Sequence, residues 1–172
     1  MAYSLEQLVT DLRETLQAQD VPECGDALCA HVARALRDDA FRAANFGPDK
    51  TAKRTIIHED PELGFCVCVH VYDGPAESPP HDHGTSWAIY GQAEGETEMT
   101  DWRIVTPAQG DAPARVEPVR VYTLRPGDAH FYPVGAVHSP RRAQATKLLR
   151  IEGANLDHVR RTPIVPAEAQ TA

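Results

Sequence analysis

The spacing of apolar residues changes period once along the chain, which predicts a helical N-terminal part followed by a β-rich body. Leu5, Leu8, Val9, Leu12 and Leu16 recur at the intervals that put side chains on one helix face. Ser4 with Gln7 supplies a capping-box pattern just ahead of them. A second helix is predicted around Leu28, Val32 and Leu36, opened by Asp20 with Glu23 and with Pro22 in its first turn. From Arg54 onward the period is two, in the segments FCVCVHVY, SWAIYGQ, TEMTDWRIV, RVYTL and TKLLRI, separated by Gly, Pro and Asp clusters. Strands that follow helices and recur around short turns predict a mainly β chain, a jelly-roll sandwich or barrel with two N-terminal helices packed on it. The expected boundaries are a helical part over 1–45, a barrel over 52–155 and a disordered tail over 165–172, within a single domain spanning 1–172.

Strand parity assigns faces. Phe65, Val67, Val69 and Val71 fall on one side of their strand and belong to a packed core, which leaves Cys66, Cys68, His70 and Tyr72 to line any cavity. In the last strand Lys147, Leu149 and Ile151 form the more apolar side, so Arg150 and Glu152 are expected to face the cavity.

Charge narrows the function classes. Seventeen Lys and Arg against 25 Asp and Glu give a net charge of -8, which disfavours a phosphate-tracking surface and hence a nucleic-acid partner. No apolar run reaches the length that spans a bilayer, and a cytoplasmic protein without a membrane partner is expected. Cys24, Cys29, Cys66 and Cys68 include no C-x-x-C pair and are poorly placed for bridging, so reduced thiols are expected.

His81-Asp82-His83 puts two imidazoles on the same side of an extended segment, about 7 Å apart by strand rise, within reach of one metal ion. About 45 residues further on runs Gly127-Asp-Ala-His-Phe-Tyr-Pro133-Val-Gly135-Ala-Val-His138. The Gly, Pro, Gly and His spacing of that segment resembles the second motif of the cupins. The first cupin motif is matched by His81, His83 and Gly95, but Ala88 stands where those proteins carry a glutamate. The resemblance implies a double-stranded β-helix with a metal held by His81, His83 and His138 and open positions for other ligands.

Loss of the glutamate resembles the thiol dioxygenases, the cysteine dioxygenase and 3-mercaptopropionate dioxygenase group, which bind Fe(II) through three histidines. An arginine about 27 residues before the first histidine binds the substrate carboxylate in that group, and Arg54 stands at that place. The chain departs from the group in two respects. Ala88 replaces the cysteine of the cysteine–tyrosine crosslink, and Thr146-Lys-Leu-Leu-Arg150-Ile-Glu152 replaces the Ser-x-His-x-Tyr triad. His70 as acid or base and Arg150 are the candidate catalytic replacements. Trp87 and Tyr90, and similarly Tyr132, either wall the pocket or belong to the barrel core, and Arg54, Tyr72 and Trp87 are the candidates for contact with substrate. Asp82 and Asp128 either orient an imidazole or close a turn.

Three function classes follow. The first is a three-histidine Fe(II) dioxygenase that takes O₂ and a small carboxylate-bearing molecule, with a thiol acid as first candidate. The second is a cupin lyase, hydrolase or isomerase using Zn, Mn or Ni as Lewis acid. The third is a metal-binding sensor module. By analogy with cupins that pair through barrel edges, a homodimer is the expected assembly.

Overall fold

The computed structural model describes residues 2–167. Three helices precede the barrel: α1 (Leu5–Ala18), α2 (Gly25–Arg37) and α3 (Asp39–Asn45). The capping box at Ser4 is formed, with its hydroxyl accepting from Gln7 N–H while the Gln7 side chain accepts from Ser4 N–H.

Two expectations are corrected here. Helix α2 starts at Gly25 with Cys24 at its N-cap and no side-chain cap, so the Asp20-to-Glu23 pattern lies in the turn before it. Helix α3 was not anticipated. It exists because Asp38 closes α2 and recaps the chain, its carboxylate accepting from Phe41 N–H at 2.9 Å and from Tyr3 N–H at 2.9 Å.

Ten strands follow: β1 (Thr55–Glu59), β2 (Cys66–Tyr72), β3 (Ala76–Glu77), β4 (Ala88–Glu94), β5 (Thr97–Thr106), β6 (Ala114–Leu124), β7 (Ala129–Tyr132), β8 (Val137–Arg142), β9 (Thr146–Glu152) and β10 (Ile164–Pro166). They form two five-stranded sheets, β1-β2-β9-β4-β7 and β10-β6-β5-β8-β3, antiparallel except where β10 runs parallel to β6. This is the jelly-roll arrangement, in which strands distant in sequence become neighbours. Val165 and Pro166, placed in the expected disordered tail, pair instead with Arg115 and Val116, and Ala167 N–H donates to Val116 O at 2.8 Å. The remainder of that tail, 168–172, lies outside the described residues. No helix among the described residues is long and apolar enough to cross a membrane.

Two apolar cores follow from strand parity. On the outer face of the first sheet, Phe65, Val67, Val69, Ile89, Leu149 and Ile151 meet Leu8, Leu12, Leu28, Val32 and Leu36 from the helices. Each such side chain contributes on the order of 1.5–3 kcal/mol by leaving water. Helix α2 lies close to β4 because Gly91 has no side chain; a Cβ there would stand 2.6 Å from Val32 Cγ1 and 2.7 Å from Leu36 Cδ1. Ala88, Tyr90, Met99, Leu124 and Tyr132 form a second, smaller buried cluster.

Asp60 ties α1 to the barrel. Only 1% exposed, it accepts from Glu62 and Leu63 N–H at 3.0 and 2.8 Å and from both Nε and Nη2 of Arg13 at 3.0 and 2.7 Å. Burial works against the charge, but these donors outweigh it and hold the carboxyl down at about 2. Replacing Asp60 with Asn is expected to lower unfolding stability by roughly 2–4 kcal/mol, because Arg13 and two backbone donors lose a charged acceptor. Urea unfolding of the two proteins at neutral pH is the measurement. Equal midpoints would show that α1 is held by apolar contact alone.

Candidate metal centre

His81 and His138 form the bridge that joins the two histidine-bearing turns: His81 N–H donates to His138 O and His138 N–H to His81 O, both at 3.0 Å. This reciprocal pair brings residues 57 positions apart in the chain (138 minus 81) into register. Asp82, His83 and Gly84 then turn sharply. Gly84 has φ +59, and a Cβ on it would stand 2.3 Å from Arg160 O, so only glycine lets the C-terminal segment cross here. Asp82 Oδ1 accepts from Gly84 N–H and from Thr162 N–H, each at 3.1 Å, and Asp128 Oδ2 accepts from Arg125 N–H at 2.8 Å. Both aspartates close turns rather than orient imidazoles.

The imidazoles of His81, His83 and His138 each present a ligand nitrogen within 4.8 Å of the others. Backbone carbonyls set two of the three tautomers. His81 Nδ1 lies 2.9 Å from Pro79 O and His138 Nδ1 3.3 Å from Ala136 O. A carbonyl only accepts, so each Nδ1 carries the proton and each Nε2 keeps its lone pair for an ion. Burial, reinforced by nearby cations, keeps the rings neutral: it lowers His81 to about 4 and His83 to about 2, and His138 well below the ordinary histidine value. Neutral imidazoles with lone pairs converging from three directions are the donor set that a divalent transition metal requires. The buried thiols are no rivals, since Cys66 and Cys68 are free and burial pushes them up to about 11 and about 12.

Of the three, His81 faces a cavity of about 400 Å³, whose lining also includes His70, Tyr72, Tyr90, Arg54 and Arg150, with the exposed Lys53 and Arg161. No carboxylate is among its lining residues, although the chain as a whole is acidic. Arg150 is 9% exposed, lies 4.2 Å over the Tyr90 ring and has Glu152 Oε1 at 3.7 Å, too far for a hydrogen bond. Behind Tyr72, whose ring it covers at 4.3 Å, Arg142 is 3% exposed with Nε and Nη2 unpartnered. Buried guanidinium groups without full partners make this wall ready for an anion.

Several sequence expectations land differently. Arg54 reaches the cavity, but its fork is already engaged, donating to Glu152 Oε2 at 2.7 Å and Asp157 Oδ2 at 2.9 Å. It therefore straps β1 to the end of β9, and the cation available to a ligand is Arg150. Trp87 lies in the helix-side core against Phe131 rather than at the cavity, because it has the opposite parity to Ala88 and Tyr90. His70 does line the cavity, 4% exposed with Nε2 unpartnered; burial and then Arg150 and Arg54 push its imidazole far below the ordinary value. A ring so disinclined to protonate is suited to hydrogen bonding as a neutral group, and not to acting as a general acid near neutral pH. Lys53, Ser78 and Arg161 were not anticipated; they sit in loops or an isolated bend, where periodicity carries no signal.

No protein-family model matches this chain, and no curated protein does. Solved structures of similar fold include a cupin superfamily protein from Desulfitobacterium hafniense, 13% identical with a TM-score of 0.43 over 59% of this chain and 76% of that one. A cupin-2 domain containing protein from Shewanella frigidimarina is 18% identical, with a TM-score of 0.42 over 59% of this chain and 80% of that one. KdgF from Halomonas sp. is 18% identical, with a TM-score of 0.42 over 64% of this chain and 78% of that one.

The histidine environment sets the acid sensitivity of the metal-free protein. A base whose folded value is depressed favours folding above its unfolded value and opposes it as pH falls, since the unfolded chain then binds more protons. Melting temperature of the metal-free protein is expected to hold above pH 6.5 and to fall progressively toward pH 4 as the lowered groups His70, His81, His83 and His138 are driven toward charge. His70→Gln should flatten part of that slope. An identical slope in the variant would mean that His70 is solvated in solution.

Proposed function

We propose that this protein is a metal-dependent enzyme acting on a small organic carboxylate, and that its reaction is Fe(II)-dependent oxygenation, with a thiol acid as the substrate class. The observation that carries the reading is the juxtaposition of three converging neutral imidazoles with a cavity walled by Arg150 and free of carboxylates. His81, His83 and His138 would hold the metal through Nε2, and the metal would supply a Lewis-acidic, redox-active centre with room for further ligands.

The chain's own residues do the rest. Arg150 binds and orients the carboxylate, its charge already desolvated by the barrel wall. Neutral His70 and the Tyr72 hydroxyl, on the same face of β2, offer hydrogen-bonding groups to the body of the substrate. The exposed Lys53 and Arg161 draw anions toward the mouth against a negative overall charge. Tyr132, stacked on His138 at 4.0 Å and packed with the buried Met99 and Leu124, gives that imidazole an apolar backing. A cavity of about 400 Å³ suits a ligand of small-metabolite size.

The test is metal analysis of the protein purified without added salts, followed by oxygen uptake on a panel of small thiols. Near-stoichiometric iron is expected, with uptake on carboxylate-bearing thiols such as 3-mercaptopropionate or cysteine and little on cysteamine, which lacks the carboxylate. Arg150→Gln should raise KM for the carboxylate substrate roughly 30-fold or more, the loss of about 2 kcal/mol expected when a charged hydrogen bond disappears. Bound zinc or manganese without any oxygen uptake would instead favour a non-redox lyase, hydrolase or isomerase on the same anion.

A further inference from the structure

Strand β4 turns both Ala88 and Tyr90 toward the barrel interior, and the two differ in what they offer the histidines. Ala88 has no donor atom. Tyr90 places its Oη 3.2 Å from Nε2 of His83 and 3.3 Å from Nε2 of His138. Two donors that each stand about 2.0–2.1 Å from one tetrahedral ion are about 3.3–3.4 Å apart, so these separations are the edges of a coordination site.

An ordinary hydrogen-bonding role accounts for this placement poorly. The Nδ1 proton of His138 is committed to Ala136 O, so its Nε2 is an acceptor. If His83 also keeps its Nε2 lone pair for the ion, one phenolic proton cannot serve both nitrogens at once. The Arg150 guanidinium lies 4.2 Å over the ring, on the cavity side of the site. The neighbouring Tyr132 makes a natural contrast. Its ring stacks on His138 at 4.0 Å, yet its hydroxyl is 2.7 Å from that of Tyr122.

We propose that Tyr90 Oη is a fourth ligand of the metal centre, supplying an anionic oxygen to a site otherwise built of neutral nitrogens. The inference rests on the three-histidine reading above. On binding, the phenolic O–H bond breaks, an oxygen–metal bond forms and the proton leaves to solvent, with no change of oxidation state. A further ligand would have to enter by raising the coordination number above four, from the side of the cavity that Tyr90 itself lines.

Metal-free full-length protein titrated with Zn(II) tests this through the tyrosine chromophore. Wild-type protein is expected to bind one equivalent and to develop the ultraviolet difference band of tyrosinate in step with binding; with Fe(III) it should develop a visible phenolate-to-iron charge-transfer band. Tyr90→Phe should lose both signals and bind Zn(II) at least about tenfold more weakly, while Tyr132→Phe keeps both. Stoichiometric binding by the wild type without either signal, or signals that survive in Tyr90→Phe, would overturn the fourth ligand and leave the histidine triad intact. No metal binding by the wild type would overturn the triad and this inference together. The wild-type spectra decide the matter even if the Phe variant folds poorly.

Discussion

Every property of the site depends on one backbone contact, the reciprocal pair of hydrogen bonds between His81 and His138. The three candidate ligands come from two turns that are remote in sequence, and local structure in neither turn can aim its imidazole at the other. The bridge does so, and the strands β5, β8 and β3 hold it in register. With the turns locked, the carbonyls of Pro79 and Ala136 can each take up an Nδ1 proton, which turns Nε2 inward. Backbone geometry thus selects the tautomer, and the tautomer creates the donor set.

The electrostatics of the barrel work in the same direction. A chain of net charge -8 places Arg54 and Arg150 on one cavity, with Arg142 behind it on the Tyr72 ring, and Arg54 and Arg150 share one buried carboxylate, Glu152. Arg54 takes the good geometry with Glu152, leaving Arg150 with a distant contact and Arg142 with unpartnered nitrogens. Such burial costs stability in the empty protein, and an anion entering the cavity recovers part of that cost. Burial first, with Arg150 adding to it, keeps the three histidines neutral and therefore fit to bind a metal.

Much of this was legible in the residues because a two-residue period leaves little freedom. The valine side of β2 and the leucine side of β9 lie in the helix-side core, while His70, Tyr72 and Arg150 line the cavity, as parity requires. What parity could not convey was partnership. Arg54 stands where a carboxylate-binding arginine was expected, but Asp157, 103 residues away, comes from a one-turn 3-10 helix that no periodicity announces, and it completes the engagement of the fork. Trp87 was misplaced because it lies one residue before β4 and its face is set by the strand that follows. Tyr90 was legible as pocket wall or barrel core. Its hydroxyl's approach to two imidazoles depends on the crossing of β4 beneath both ligand turns, which only the assembled barrel reveals.

X-ray absorption at the edge of the bound metal tests the central claim most directly. Convergence of His81, His83 and His138 requires a shell of about three imidazole nitrogens at roughly 2.0–2.2 Å, with the outer-ring scattering typical of histidine and no sulfur. A shell of oxygens alone, or one containing a sulfur at about 2.3 Å, would mean that the metal sits elsewhere and that the three imidazoles do not share an ion.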